Sequence, residues 1–383
     1  MTPAARVQTA GELLDTILAG QPAEQALTRW ARGNRYAGSK DRAAIRDLVF
    51  DALRRKRSYG ALGGAVTGRG LMLGALRAAN MPVDPVFTGD RFMPTPVTEV
   101  ERAAFRGPTE AEARDLPDWL WPHFTASLGD QAEAEARLLR DRAEVFLRVN
   151  LLKSDLETAR AALDAEGIVS QPHPLSPTAL QVTEGARRVH LSSAYRDGLV
   201  ELQDAGSQAV VDLLDLQPGQ SVLDFCAGGG GKALAVAART GDEVTAYDID
   251  PARMTEIPAR AQRAGAQIAI LPEPRGTYDM VLCDAPCSGS GSWRRAPEAK
   301  WRLTKDRLAE LCTMQDEVLD AAVPHVAAGG TLAYATCSLL AEENSHRIAA
   351  FQARHPDWHV VRERQFRLLD GGDGFYVALL KHL

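Results

Sequence analysis

Cysteine is scarce in this chain: five in 383 residues, at positions 226, 283, 287, 312 and 337. The number is odd and no two stand as Cys-x-x-Cys, so reduced thiols fit better than a disulfide framework. No run of about 18 apolar residues occurs, and no transmembrane helix is expected. The opening stretch MTPAARVQTAGELLD has no apolar signal core, which predicts a cytoplasmic protein. Internal repeats and low-complexity tracts are also missing. An excess of positive charge is absent too: 44 Lys and Arg face 50 Asp and Glu, a net charge of −6. That excludes a protein coated in positive charge but leaves room for a local basic face.

One such face is present. Between Arg32 and Arg57 the chain carries nine basic residues (32, 35, 40, 42, 46, 54, 55, 56 and 57) against Asp41, Asp47 and Asp51. Arg42 and Arg46, four apart on a predicted helix, are candidate RNA contacts. A solvated helix face reads the same way.

A chain of this length predicts two or three domains. Residues 1–140 read as helical. Thr9 with Glu12 has a capping-box pattern, and Ser39 is the expected N-cap of a helix with Ile45, Leu48, Val49 and Ala52 on one face. Residues 141–203 read as a small α+β module, ferredoxin-like, with strands in VFLRVNLL, ALQVTE and GLVELQ and a helix capped by Ser154. Residues 204–383 alternate strands and helices, an α/β pattern that predicts a parallel sheet covered on both faces. Its second strand leads into a helix from Pro251, in which Pro258 is expected to make a kink or break.

LDFCAGGGGK, residues 223 to 232, stands at the carboxyl end of the first strand of that sheet, where doubly wound folds present ligands. Glycines there let a backbone approach a ligand closely. Asp248, ending the second strand, is placed to accept hydrogen bonds from ribose hydroxyls. Gly228, Gly230 and Ala233 also satisfy a dinucleotide-binding pattern, so a nicotinamide-dependent dehydrogenase competes at this point. The cysteines decide. Cys287, in DAPCSGSGSW, and Cys337, in YATCS, each follow a predicted strand and share one rim with the glycine turn and Asp284. Hydride transfer needs no such pair of thiols, whereas methyl transfer to an unreactive carbon needs a nucleophile. Cys226, Cys283 and Cys312 read as small buried hydrophobes as far as their side chains go. No metal site is expected, because Cys283 and Cys287 lack ligand spacing and no histidine is near.

LDFCAGGGGK, YDID, DAPCSGSGSWRRAPEAKW, YATCS followed by EEN, and DGFYVALL resemble, in order and spacing, the motifs of the RsmB/Nop (NSUN) family of RNA cytosine-5 methyltransferases. LRVN and VELQDAGSQ resemble the family's small module, and the N-terminal helices resemble a NusB-like RNA-binding domain. The resemblance implies a Rossmann-like domain with a mixed, mainly parallel sheet, using S-adenosylmethionine held by Cys226, Ala227, Gly228, Gly229, Gly230, Gly231, Lys232 and Asp248, with Asp284 close by. It implies Cys337 as nucleophile on carbon 6 of cytosine, Cys287 as helper in removing the carbon 5 proton and releasing product, and Asp284 at ring nitrogen 3. DNA cytosine-5 methyltransferases use the proline-cysteine instead, so the residues alone leave the two thiols interchangeable. It further implies a monomer acting on RNA, ribosomal RNA first, away from membranes. Arg294, Arg295 and Lys300, with Trp293 and Trp301, follow the catalytic loop and are expected to hold single-stranded RNA. A non-catalytic RNA-binding protein on the same fold is a further alternative, opposed by the presence of both cysteines with Asp284. Two departures stand out. The turn has four glycines where the family often has Ala-Pro-Gly-Gly-Lys, and the short IAILPEPRGTYD offers only Glu273 for an adenine-side acid, which stays unassigned.

Overall fold

The structure, a computed structural model, describes residues 1–382. The chain gathers into two compact units. One comprises Met1–Thr125, Gly129–Arg142 and Trp293–Arg302; the other comprises Ala126–Leu128, Ala143–Ser292 and Leu303–Leu383.

The first unit is built on helices α1 (Pro3–Leu18), α2 (Ala23–Gly33), α3 (Ser39–Arg54), α4 (Lys56–Gly63) and α5 (Gly68–Ala78). Leu14, Ile45, Val49, Leu53 and Leu71 form its core at helical spacing. The helix starts differ from expectation. Thr2 caps α1, so Thr9 lies within the helix, and Ser39 is the first residue of α3 after Gly38. Proline at the first turn of α1, where an N–H has no partner anyway, moves the start upstream.

Trp293–Arg302 completes this unit by closing the end of α3. The last carbonyls of a helix lack partners within it. Here Leu53 O accepts from Trp301 Nε1 (2.7 Å) and Arg54 O from Lys300 Nζ (2.9 Å). Arg54 in turn donates from Nε and a terminal nitrogen to Arg294 O, at 2.9 and 2.7 Å.

The second unit holds two sheets. In the smaller, β1 (Val145–Val149), β2 (Ser170–Pro172), β3 (Ala179–Val182) and β4 (Val200–Leu202) run in the order β2-β3-β1-β4, all antiparallel. α6 (Leu156–Ala165) packs on it through Ala159 and Leu163, capped by Asp155 rather than Ser154. α7 (Ala205–Asp212) leads into the larger sheet.

That sheet contains β5 (Val222–Asp224), β6 (Val244–Ala246), β7 (Ile268–Ile270), β8 (Tyr278–Asp284), β9 (Val326–Thr336), β10 (Trp358–Phe366) and β11 (Phe375–His382), in the order β10-β11-β9-β8-β5-β6-β7. From β9 to β7 the strands are parallel, and β11 and β10 are antiparallel additions. Met280 to Cys283 of β8 are all buried, as expected of a strand covered on both faces. Its cover includes α8 (Gly231–Thr240), α9 (Ile257–Ala264), α10 (Lys305–Ala322) and α11 (Ser345–Arg354). The helix expected from Pro251 is broken just before Pro258: Pro251–Met254 forms a 3-10 turn, and α9 starts afresh at Ile257 with Pro258 in its first turn. The sheet is mixed and mainly parallel, as expected, and its edge strand β10 carries exposed Arg362, Glu363 and Arg364. No helix among the described residues is long and apolar enough to cross a membrane.

Candidate active site

Chain order reverses beside β5, with β6 and β7 on one side and β8 on the other. Such a switch point opens a crevice beyond the strand ends. Asp224 ends β5, Asp284 ends β8, and Cys337 follows Thr336 at the end of β9. Parallel pairing puts all three on one rim.

The glycine turn bridges β5 and α8. Gly230 takes φ +79°, and a Cβ there would lie 2.9 Å from Ile257, so glycine is required on both counts. Gly228 N donates to Asp248 Oδ2 (2.9 Å), and Asp250 N donates to Asp248 Oδ1 (3.0 Å). Arg253, half exposed, also pairs with Asp248 Oδ2 at 3.0 Å. The turn thus presents backbone groups beside a buried carboxylate, a set that suits a nucleoside ligand. Cys226 is largely buried, which pushes its thiol well above the usual value and leaves its side chain inert. Cys283 is shifted the same way for the same reason.

Lys232, expected with the turn as a ligand contact, sends its ammonium elsewhere: Nζ lies 2.6 Å from Asp284 Oδ2. Burial opposes its charge, but Asp284, Cys337 and Asp224 outweigh that and hold its pKa above the usual value. The rim therefore carries a buried cation.

The two thiols meet here. Cys287 Sγ and Cys337 Sγ are 3.4 Å apart. The pair is asymmetric. Cys337 is drawn below the ordinary thiol value by the Cys287 hydrogen bond, with further help from Lys232 and the Ser292 hydroxyl, against burial and Asp284. Cys287 is raised by Cys337, burial and the charge of Glu343. The surroundings thus favour the thiolate at Cys337 over Cys287.

Glu343 holds this geometry, and the residue reading assigned it no role although EEN was legible. Its buried Oε1 accepts from Ser288 N (2.7 Å) and Gln315 Nε2 (3.2 Å); Oε2 accepts from the hydroxyls of Ser288 and Ser338. Ser288 and Ser338 each follow a cysteine of the pair, so one carboxylate ties both loops. Gly291 finishes the lacing. Its N–H donates to Cys337 O (3.0 Å), and a Cβ would lie 2.0 Å from Gly374 O.

Asp224 was also missed. It is buried, and neither carboxylate oxygen makes a hydrogen bond of good geometry. Burial pushes its carboxyl up to about 7, helped by Asp284 and opposed by Lys232 and the backbone N–H groups of Ala233 and Cys226. The folded value lies above the unfolded one, so between about pH 4 and 7 the folded state binds more proton. Stability from this group is therefore lost as pH rises through that window. About three pH units at about 1.4 kcal/mol each set a ceiling near 4 kcal/mol. Asp224→Asn should gain on the wild type by up to that amount between pH 4 and 8 in urea unfolding. A pH-independent difference would show that Asp224 does not titrate there.

The expected RNA contacts are distributed differently. Lys300 is fully buried and Arg294 is 5% exposed, both engaged in closing α3. Trp293 is buried against Phe124, ring centroids 6.1 Å apart. Lys300 therefore serves the α3 end as a donor, and Arg294 serves it through its backbone carbonyl, which accepts from the Arg54 guanidinium; neither side chain is displayed for phosphates. Arg295 is exposed. Arg42 turns back onto Ala37 O (2.9 Å), and Arg46 pairs at the surface with Glu24. Glu273 is exposed in the loop after β7. Among the described residues, no group of three or more His, Cys, Asp or Glu is placed to hold a metal.

Comparison with known proteins bears on family and fold. Residues 211–381 match the family model "16S rRNA methyltransferase RsmB/F", and residues 116–190 match the ferredoxin-like domain of RsmF/B-like methyltransferases. The ribosomal RNA small subunit methyltransferase B of Citrobacter koseri is 37% identical over 291 residues, 70% of this chain and 67% of that protein. Its counterpart from Escherichia coli O157:H7 is 36% identical over 293 residues, again 70% and 67%. Among solved structures, PH0851 superposes with a TM-score of 0.77 at 23% identity, covering 100% of this chain and 99% of that one. NSun6 from Pyrococcus horikoshii with SFG gives 0.62 at 17% identity, covering 70% and 98%. At these identities the likeness speaks for the fold.

Proposed function

The chain belongs to the RsmB/RsmF family of ribosomal RNA methyltransferases, and from that premise we propose that it transfers a methyl group from S-adenosylmethionine to carbon 5 of a cytosine in small-subunit ribosomal RNA, through a covalent adduct on Cys337. The observation that carries the chemistry is the 3.4 Å approach of two unlike thiols beside the Lys232–Asp284 pair.

Residues 226–231 and Asp248 would hold the methyl donor, which supplies an electrophilic methyl group when bound. The fit is supported by the turn itself: a Cβ at Gly228 would meet only the movable Arg253 guanidinium, so the backbone is open to a ligand. Glycines in this cradle suit contact by main chain, and four of them suffice without the proline common in the family.

Carbon 5 of cytosine is a poor nucleophile. Attack of the Cys337 thiolate on carbon 6 pushes electrons toward carbon 5 and the N3 side of the ring. Asp284 faces N3 with the Lys232 ammonium at its back, and a proton held on this pair meets the developing charge. Methylation then leaves a proton on carbon 5 that must be removed. The largest cause of the raised Cys287 pKa is Cys337. Once the Cys337 sulfur is bonded to carbon and uncharged, that cause is gone although burial and Glu343 still oppose ionisation; Cys287 passes its proton to water, and the resulting thiolate takes the carbon 5 proton. Elimination of the Cys337 sulfur restores the aromatic ring and frees the product.

The test is direct. The full chain, tritiated S-adenosylmethionine and unmodified small-subunit rRNA should yield labelled 5-methylcytidine on nucleoside chromatography, with one new protected cytosine after bisulfite sequencing. Label on ribose or on another base would sink the assignment.

A further inference from the structure

The basic residues of the α3 end do not face solvent as a patch. Arg54 is buried, Arg55 pairs with Asp51 and Asp141, Arg57 pairs with Asp118, and Lys56 lies over the Trp301 ring at 4.3 Å. A group of exposed cations runs from α2 to the first turn of α3. Arg29, Arg32, Arg35 and Lys40 are exposed and form no ion pair among the described residues. Residues 29–40 contain no acid.

The same segment borders a cavity of about 720 Å³ in the helical unit, lined in part by Trp30, Asn34, Tyr36, Arg91 and Phe92. Two of its aromatics are displayed rather than packed, Tyr36 at 72% exposed and Phe92 at 70%, while Trp30 is half-buried against the helical core. Phe92 also holds φ +67°, a backbone conformation costly to any residue with a Cβ, without gaining burial in return. The Arg91 guanidinium lies 4.7 Å from the Phe92 ring centroid. Glu12, the one carboxylate in the lining, is engaged by Gln8 Nε2 at 2.8 Å.

We propose that this cavity is a stacking site for unpaired bases of single-stranded RNA. Tyr36 and Phe92 offer the ring faces, half-buried Trp30 forms part of the wall, and Arg91 with the cations of residues 29–40 meets the phosphates. Solvent-facing aromatics, a guanidinium stacked on one of them and a rim of unpaired cations are the parts that sequence-tolerant binding to single strands uses. The volume falls in the range of small-ligand sites and can take a nucleobase. The positive φ of Phe92 belongs to the Asp90–Met93 turn, in which Met93 N donates to Asp90 O (2.9 Å), and that turn displays the ring to solvent. The inference rests on reading the protein as an RNA methyltransferase and gives that enzyme a second hold on its substrate, within the helical unit.

The test uses the full chain and a labelled twelve-nucleotide oligouridine in fluorescence anisotropy. Tyr36→Ala with Phe92→Ala should raise Kd about tenfold or more, the loss of at least one stacked base. With small-subunit rRNA as substrate, KM for RNA should rise while kcat holds. Phe92→Gly separates binding from folding. It relieves the backbone, so its unfolding midpoint should rise while RNA affinity falls; a purely structural Phe92 would lower the midpoint and leave affinity alone. Unchanged Kd in the variants, with normal methyl transfer, overturns the cleft and spares the enzyme. Weakened RNA binding in the variants, alongside a wild type that transfers no methyl group, supports the cleft and overturns the enzyme.

Discussion

Cys337→Ala should abolish methyl transfer, by about 10⁴-fold or more, the scale seen when a covalent nucleophile is removed. Cys287→Ala should also stop turnover, but at a later stage. The adduct forms and cannot resolve, so RNA-linked protein should accumulate as a slow band on a denaturing gel that nuclease collapses. The double variant should show no such band. The residues alone left the two thiols interchangeable, since related DNA enzymes attack with the proline-cysteine. The structure adds a physical asymmetry. Lys232 and the Ser292 hydroxyl favour the thiolate at Cys337, whereas Glu343 disfavours it at Cys287. Accumulation of adduct in Cys337→Ala and its absence in Cys287→Ala would reverse the roles.

Removing Glu343 should be nearly as damaging, by a different route. Glu343→Ala leaves the Ser288 N–H, the Ser288 and Ser338 hydroxyls and Gln315 Nε2 without their acceptor. Buried donors left unpaired around a deleted charge cost about 3–5 kcal/mol, which should lower Tm by about 10 °C. The fraction that stays folded loses the tie between the Cys287 and Cys337 loops. At a temperature where the variant is fully folded, kcat should fall about 100-fold or more while affinity for the methyl donor holds, because Asp248 and the glycine turn do not touch Glu343. Glu343→Gln keeps one carbonyl for the Ser288 N–H, and the serine hydroxyls can rotate to accept from its amide, so most stability and part of kcat should return. Equal loss of kcat in both variants, with equal donor affinity, would give the charge of Glu343 a direct part in the reaction; wild-type kcat in Glu343→Ala would remove it from the mechanism.

Family membership also disposes of the nicotinamide reading that Gly228, Gly230 and Ala233 had kept open. Those glycines serve any ligand that needs a main-chain approach, and the pattern could not tell one nucleotide from another.

Much of the architecture was legible because it is local. The buried run of β8, the turn at Gly228 to Gly231 and the cysteines after two strands each follow from short stretches whose periodicity and residue type suffice. Parallel strands then oblige their carboxyl ends to share a rim, so the meeting of Cys287, Cys337 and Asp284 was implied before any coordinates. What tertiary structure alone decided involves partners far apart in the chain. Lys232 chose Asp284 over the glycine turn, Glu343 became the tie between two loops, and Lys300 went to the open carbonyl end of α3, 246 residues away, instead of to solvent. A charged residue reads the same in sequence whether water or a buried orphan group satisfies it. Which of the two it meets depends on desolvation and on the nearest unpaired partner, and only the folded chain supplies either.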